Sequence, residues 1–480
     1  MSFEGFPVEV SPIYEGERIR KEDMYIEFGG TAVPQKFELV LAAPMEEVED
    51  GAVKVIGPDL TELKEGGSYP LGILIKVAGS KIEKDLEPVI ERRIHLYTNY
   101  IEGVMHLNQR YDIWIRISKK AFKKGLTSLK WWGLALIKLF KAEMPFIEKM
   151  EVNFITDPEK VKEWHQKALQ TYEARDARAR TIRDEDVDTF YGCVLCQSFA
   201  PQHVCVIAPN RVSLCGALNW FDARAAASVD PKGPNFPIPK GKCLDPIKGE
   251  YEGVNEVVAK RSMGAVKRVY LYSMFGYPHT SCGCFECIAF YIPEVDGVGF
   301  VHRGYRGPTV NGLPFSTMAA QTGGGIQTEG FLGVGIEYFR SPKFFQADGG
   351  WARVVWMPFE LKERVKDAIP PELYDKIATE KDAKNIDELK KFLMEKGHPL
   401  GIKLKEMEAA VAPPPEKPVE AVPTVPTAVP GVAGIEITGI PVGALPAAGG
   451  GMRIILKGAK ITVKKLIVKK VEASKKVEKK

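Results

Sequence analysis

The sequence predicts a mixed α/β protein: two mixed-sheet domains, then a proline-rich linker and a small basic β-like tail. Three observations predict it. Short aliphatic and β-branched runs alternate with helical periods over the first 150 residues. A glycine-rich region carrying all eight cysteines follows, and beyond residue 405 the composition shifts abruptly to proline, alanine and valine.

The runs Phe37-Glu-Leu-Val-Leu, Ala52-Val-Lys-Val-Ile and Leu71-Gly-Ile-Leu-Ile-Lys-Val read as strands, and residues 86–105 and 118–141 as helices. Thr156-Asp-Pro supplies a helix start, and residues 157–188, dense in Glu, Lys, Arg and Ala, read as a solvated helix between domains. The boundary is set near residue 185, giving a first α/β domain over 1–185. The second domain, 186–405, closes with helical signals over 360–369, stopped by Pro370, and over 386–396. Pro413-Pro-Pro, Pro418, Pro423, Pro426 and Pro430 then make 406–450 an extended, semi-rigid linker. Residues 451–480 hold two β-like runs, from Arg453 and from Lys460, and a lysine-rich end.

A length of 480 residues with 45% apolar content is enough for a buried core. No apolar run approaches the roughly 18 residues that span a bilayer. The N-terminus lacks the basic, apolar and small-residue pattern of a secretory signal, so a reducing, cytoplasmic location and no membrane partner are expected. The formal charge of +4 divides unevenly: ten lysines and Arg453 against Glu472 and Glu478 give +9 over 451–480, leaving −5 for residues 1–450. With no helix-turn-helix, zinc-finger or RNP spacing, no nucleic-acid partner is expected. Gly323-Gly-Gly and Gly330, Gly333 and Gly335 fit neither a P-loop nor a dinucleotide fingerprint, and read as sites of close backbone packing.

Eight cysteines in a reducing compartment call for a metal. Cys193, Cys196, Cys205 and Cys215 form C-x2-C-x8-C-x9-C. Structural zinc usually pairs two short knuckles, and this group has only one, so the spacing favours an iron–sulfur cluster over zinc without removing zinc. Cys282-Gly283-Cys284 is a different kind of ligand set. Two thiolates one glycine apart chelate a metal in a plane when the intervening backbone nitrogens bind too, and a planar field of two nitrogens and two sulfurs selects Ni(II) or Cu(II). Glycine between them permits the tight path.

These motifs, with Phe199 between the second and third cysteines and Tyr277-Pro-His-Thr-Ser-Cys282-Gly-Cys-Phe-Glu-Cys287, resemble the A-cluster domain of acetyl-CoA synthase, most of all the archaeal complex-forming branch. The resemblance covers residues 1 to about 400. It implies an oxygen-sensitive acyltransferase that makes acetyl-CoA from CO, a corrinoid-bound methyl group and CoA, or cleaves it in reverse. It implies that Cys193, Cys196, Cys205 and Cys215 hold a 4Fe-4S cluster and that Cys196 bridges it to a proximal nickel. Cys282 and Cys284 would bridge that nickel to a distal one, whose plane the backbone nitrogens of Gly283 and Cys284 complete. Phe199 would line the open side of the proximal nickel. The implied partners are carbon monoxide dehydrogenase subunits and a corrinoid iron–sulfur protein, and the linker and basic tail from Pro413 to Lys480 are expected to tether the chain to them.

Coenzyme A carries phosphates and an adenine, for which Arg92, Arg93, Arg110, Trp114 and Arg116 are the candidates. Cys243 and Cys287 have no ligand role in this scheme and read as small buried residues or unassigned thiols, and His203 and His279 as hydrogen-bonded structural histidines. Two rival readings carry less of the pattern: a zinc-stabilised interaction protein, and an electron carrier using the iron–sulfur cluster alone.

Overall fold

The computed structural model describes residues 3–107 and 110–411, so the basic tail and the linker from residue 412 lie outside the described residues. The fold is mixed α/β, as the alternation of patterns implies.

In the N-terminal part a four-stranded sheet runs in the order Lys36–Ala42, Leu71–Ala78, Lys149–Ile155, Val53–Ile56. The first two strands are parallel, as are the last two, and the central pair is antiparallel. Leu71–Ala78 is covered on both faces, which is why it reads as a near-continuous apolar run, whereas the edge strand Val53–Ile56 alternates half-buried and exposed residues. Phe37, Leu39 and Leu74 pack with Val161, Ala168 and Tyr172 of the helix Pro158–Ala179. Val40, Ile73 and Ile75 share the main core with Ile90, Ile94, Leu136 and Phe140, from the helices Glu87–Thr98 and Leu129–Glu143. A second sheet orders Ser68–Tyr69, Met24–Gly29, Trp114–Ser118 and Val104–Leu107.

Three expected helices of the N-terminal part differ in the structure. The helix expected over 86–105 ends at Thr98, where the Asn99 side-chain amide donates to the His95 and His106 carbonyl oxygens at 3.0 Å each. The chain then turns through Gly103 at φ +74° into the strand Val104–Leu107. The helix expected over 118–141 is two, Lys119–Lys124 and Leu129–Glu143, split by Gly125 at φ +114°, a left-handed helix end that glycine adopts without strain. The helix expected as solvated over 157–188 spans Pro158–Ala179, with Asp157 capping the Lys160 amide. It buries Val161, Ala168, Tyr172, Asp176 and Ala179, and its Arg175 meets Glu87 and Glu91 at 2.8 Å. Those buried positions fall three, four or seven apart, on one helix face.

In the C-terminal part, Thr189–Cys193 lies between Cys205–Ile207 and Asn235–Pro239, antiparallel to both. A four-stranded sheet orders Phe331–Val334, Cys287–Ile292, Gly297–His302 and Val354–Trp356. The helix Phe359–Arg364 is shorter than the signal over 360–369, and Ile386–Glu395 follows the one over 386–396. Among the described residues no helix is long and apolar enough to cross a membrane.

Candidate metal centre

Cys193 closes its strand and Cys205 opens the neighbouring one, and the two face each other in register. Cys196 sits in the short turn Leu195–Ser198, and the Cys215 sulfur lies 3.4 Å from the Ser213 hydroxyl in a loop. The distant Cys-Gly-Cys segment immediately precedes the strand that begins at Cys287. Folding brings it onto the first group: the sulfurs of Cys196, Cys282 and Cys284 all lie within 4.8 Å of one another. Gly283 has φ +127°, which a side-chain-bearing residue rarely adopts, and a Cβ there would stand 3.7 Å from the Phe199 ring. Phe199 itself is 45% exposed. The Cys284 amide donates to the Cys282 sulfur at 3.2 Å, so nitrogen and sulfur of this segment lie against each other.

Three crowded thiols are a costly arrangement without a counter-charge. Hydrogen bonds from Cys196 and Cys282 hold the Cys284 thiol well below its usual range, helped by His95 and by the positive charge of Arg92. Hydrogen bonding to its two neighbours, with burial, pushes the Cys196 thiol up. The counter-charge is Arg92, buried to 4% exposure, which donates to the Cys284 sulfur at 3.6 Å and the Cys196 sulfur at 3.7 Å. Its second terminal nitrogen, Nη1, is buried with no partner.

A cavity of about 280 Å³ is lined by Cys282, Gly283, Cys284 and Phe199, with Arg18 and Arg303 as its cations. His95 stands on the same wall. Its Nδ1 meets His106 Nδ1 at 3.1 Å, and His106 Nε2 meets the buried Glu38 carboxyl. Glu286 also lines the cavity, and burial raises its carboxyl to about 7.

None of the five arginine and tryptophan candidates for coenzyme A lines this cavity. Arg92 is on the cysteines. Arg93 lies over the Tyr97 ring at 5.9 Å. Arg110 is buried against Asp176, at 3.2 Å to both carboxylate oxygens. Trp114 and Arg116 both donate to Glu27, at 2.6 and 2.8 Å, and the guanidiniums of Arg116 and Arg306 lie over the Trp114 ring at 4.6 and 4.9 Å. Cys287 is fully buried in the second core, whereas Cys243 is exposed on a two-stranded hairpin rather than buried. His279 accepts from the Val206 amide through Nε2 and donates through Nδ1 to the Thr280 carbonyl oxygen. His203 bonds the Thr280 hydroxyl at 2.9 Å, so both histidines are structural.

Two family models match the chain. One is described as "CO dehydrogenase/acetyl-CoA synthase complex beta subunit" and matches residues 6–161; the other describes the C-terminal part of the ACS/CODH beta subunit and matches 172–408. The acetyl-CoA decarbonylase/synthase complex subunit beta of Archaeoglobus fulgidus is 61% identical over 82% of this chain and 75% of its own length. The chain belongs to this beta-subunit family. Subunit beta 2 of Methanosarcina thermophila is 58% identical, over 82% of this chain and 83% of its own. Subunit beta 2 of Methanocaldococcus jannaschii is 59% identical, over 83% and 84%. The solved C-terminal domain of an acetyl-Coenzyme A synthase alpha subunit is 42% identical over 25% of this chain and 96% of its own, with a TM-score of 0.24. In this beta-subunit family member, then, two sequence-distant cysteine groups build one soft-ligand pocket with a buried cation beside it, a site able to hold a thiophilic metal.

Sequence reasoning missed Arg92 as a partner of sulfur, together with His95, His106, Glu38, Arg18 and Arg303. For Arg92 and His95 the one available signal is their spacing of three, which puts both on one face of a single helix.

Proposed function

We propose that the chain makes acetyl-CoA from CO, a corrinoid-bound methyl group and CoA, and cleaves acetyl-CoA in reverse, at a centre of one 4Fe-4S cluster and two nickel ions. The observation that carries this is the meeting of Cys196, Cys282 and Cys284 within 4.8 Å, in a chain 61% identical to a named decarbonylase/synthase beta subunit.

The residues fit that group. Cys193, Cys196, Cys205 and Cys215 offer four thiolates for a cubane, and Cys282, Cys284 and the nitrogens of Gly283 and Cys284 offer a planar set for nickel. Cys196 belongs to both halves. The unpartnered Nη1 of Arg92, sealed beside these sulfurs, is a donor that an anionic group there would satisfy. When bound, the nickel–iron–sulfur group supplies the electron-rich metal at which a one-carbon unit and a methyl group are joined. The chain's own residues do the rest. Arg92 offsets thiolate charge, and Phe199 crowds the face of the Cys-Gly-Cys segment and keeps water from it. The cavity admits the small reactants, with Arg18 and Arg303 giving it a cationic wall for an anionic acyl acceptor.

For coenzyme A beyond the cavity we keep Arg93, Trp114 and Arg116, supported by the paired guanidiniums on the Trp114 ring. Arg92 goes to the sulfurs and Arg110 to Asp176. The division into domains near residue 185 stays part of this proposal; the two family models part earlier, between residues 161 and 172, within the helix Pro158–Ala179.

As a member of a family of complex subunits the chain has partners. We assign these as carbon monoxide dehydrogenase subunits and a corrinoid iron–sulfur protein, with residues 413–480 as the tether. Removing residues 411–480 then lowers co-purification of those subunits, and undiminished co-purification refutes the tether. The function is tested by metal analysis of anaerobically purified protein together with exchange of CO into acetyl-CoA. Nickel with iron, in a protein that performs the exchange, supports it. Zinc alone, or iron without nickel, overturns it in favour of a scaffold or an electron carrier.

A further inference from the structure

Arg303 directly follows the strand Gly297–His302, whose last residue pairs with Cys287, so its backbone is anchored beside the Cys-Gly-Cys segment. Its amide donates to the Glu286 carbonyl oxygen at 3.0 Å. The side chain then runs back past the Phe285 and Phe315 rings, with the guanidinium carbon 5.7 and 5.3 Å from their centres. There Nη2 donates to the carbonyl oxygens of Gly283 and of Phe285, the latter at 3.0 Å, and Nε donates to Phe285 at 3.3 Å.

The Gly283 carbonyl and the Cys284 nitrogen belong to one planar peptide unit. A donor that fixes the oxygen therefore also fixes where the nitrogen points, and that nitrogen faces the Cys282 sulfur at 3.2 Å. We propose that Arg303 is a positioning residue for the nickel site, clamping the peptide that joins Gly283 to Cys284 so that its nitrogen stays beside the Cys282 sulfur, where it would be held ready to bind the metal. This rests on the metal assignment above. A peptide unit bonded to metal through nitrogen carries negative charge, and amide conjugation spreads that charge to the oxygen that the guanidinium holds. A charge-assisted bond at that oxygen stabilises the metal-bound form. Groups of this outer kind typically contribute about 10- to 100-fold in metal affinity.

The test is anaerobic titration of metal-depleted full-length protein with Ni(II), reading nickel affinity, the visible absorption of planar nickel and retained iron. With iron unchanged, Arg303→Met should bind nickel about 10- to 100-fold more weakly and shift the planar-nickel band. Arg303→Lys, which keeps the charge without the fork, should recover part of the affinity. A purely structural role would leave the band of the nickel-loaded fraction where it is. Nickel affinity and band equal to wild type in both variants overturn the proposal while the nickel assignment stands. A wild-type chain that takes up no nickel overturns the assignment and the proposal together. Should Arg303→Met lose iron as well, Arg303→Lys decides: a displaced band supports the clamp and a wild-type band refutes it.

Discussion

The Nη2 atom of Arg92 lies 3.6 Å from the Cys284 sulfur and, at 3.7 Å, also reaches Cys196, so one guanidinium spans both cysteine groups. Arg92 is buried on the helix Glu87–Thr98, and its pairing partners are thiols rather than a carboxylate. Removing this charge leaves the sulfurs less able to hold negative charge. Arg92→Met should therefore move the midpoint potential of the metal-loaded centre to more negative values and weaken metal retention by about 10- to 100-fold. An anaerobic redox titration checks the first and metal analysis the second. A wild-type potential would contradict this role.

Cys284 separates the two halves of the proposed centre. Serine in its place keeps the size but exchanges a soft sulfur for a hard oxygen. Cys284→Ser should lose nickel and the exchange of CO into acetyl-CoA while keeping the iron that Cys193, Cys196, Cys205 and Cys215 would hold. Nickel and exchange that both survive would remove the proposed mechanism.

Legibility in the sequence followed how local each signal is. The strand Leu71–Ala78 could be read because it is buried on both faces and so is apolar but for Lys76. The left-handed turn at Gly283 could be read because the chemistry of Cys-Gly-Cys demands a tight path. The end of the helix at Thr98 could not, since it depends on the Asn99 side chain reaching the His106 carbonyl oxygen across a turn that apolar periodicity does not record. Arg92 could not either. Its sulfur partners are 104 and 192 positions away, and beside Arg93 it looks like any surface pair. Arg303 is hidden for the same reason, because a guanidinium that holds backbone oxygens leaves no complementary residue in the sequence.

At the cavity wall, the His106 side chain is fully buried and its Nε2 meets the Glu38 carboxyl, while its Nδ1 meets His95. Glu38→Ala leaves that ring nitrogen in the core without a partner, a loss of about 1–3 kcal/mol. Glu38→Gln, whose amide oxygen still accepts, should recover part of it. Denaturant unfolding of the two variants measures both. Equal stabilities for Glu38→Ala and wild type would show that water replaces the carboxyl.

His398 is fully buried at the start of the helix Pro399–Val411, away from the cysteines. Its Nε2 donates to the Val354 carbonyl oxygen at 3.0 Å and its Nδ1 accepts from the Leu400 amide at 3.1 Å, which defines a neutral ring. Burial lowers its pKa from the ordinary 6.5 to about 4. In the unfolded chain the ring takes its proton near pH 6.5, so between there and pH 4 the unfolded state binds more protons and stability falls as pH falls. The contribution is complete above about pH 6.5 and is lost as pH falls through about 4. At roughly 1.4 kcal/mol per unit it amounts to about 3 kcal/mol. Protonation would also turn an Nδ1 hydrogen against the Leu400 amide. His398→Gln, with no ring to protonate, should be less stable at neutral pH yet lose less on acidification. Unfolding free energies at pH 7, 5.5 and 4 should therefore converge for the two proteins, and curves that stay parallel would place the acid sensitivity at another group.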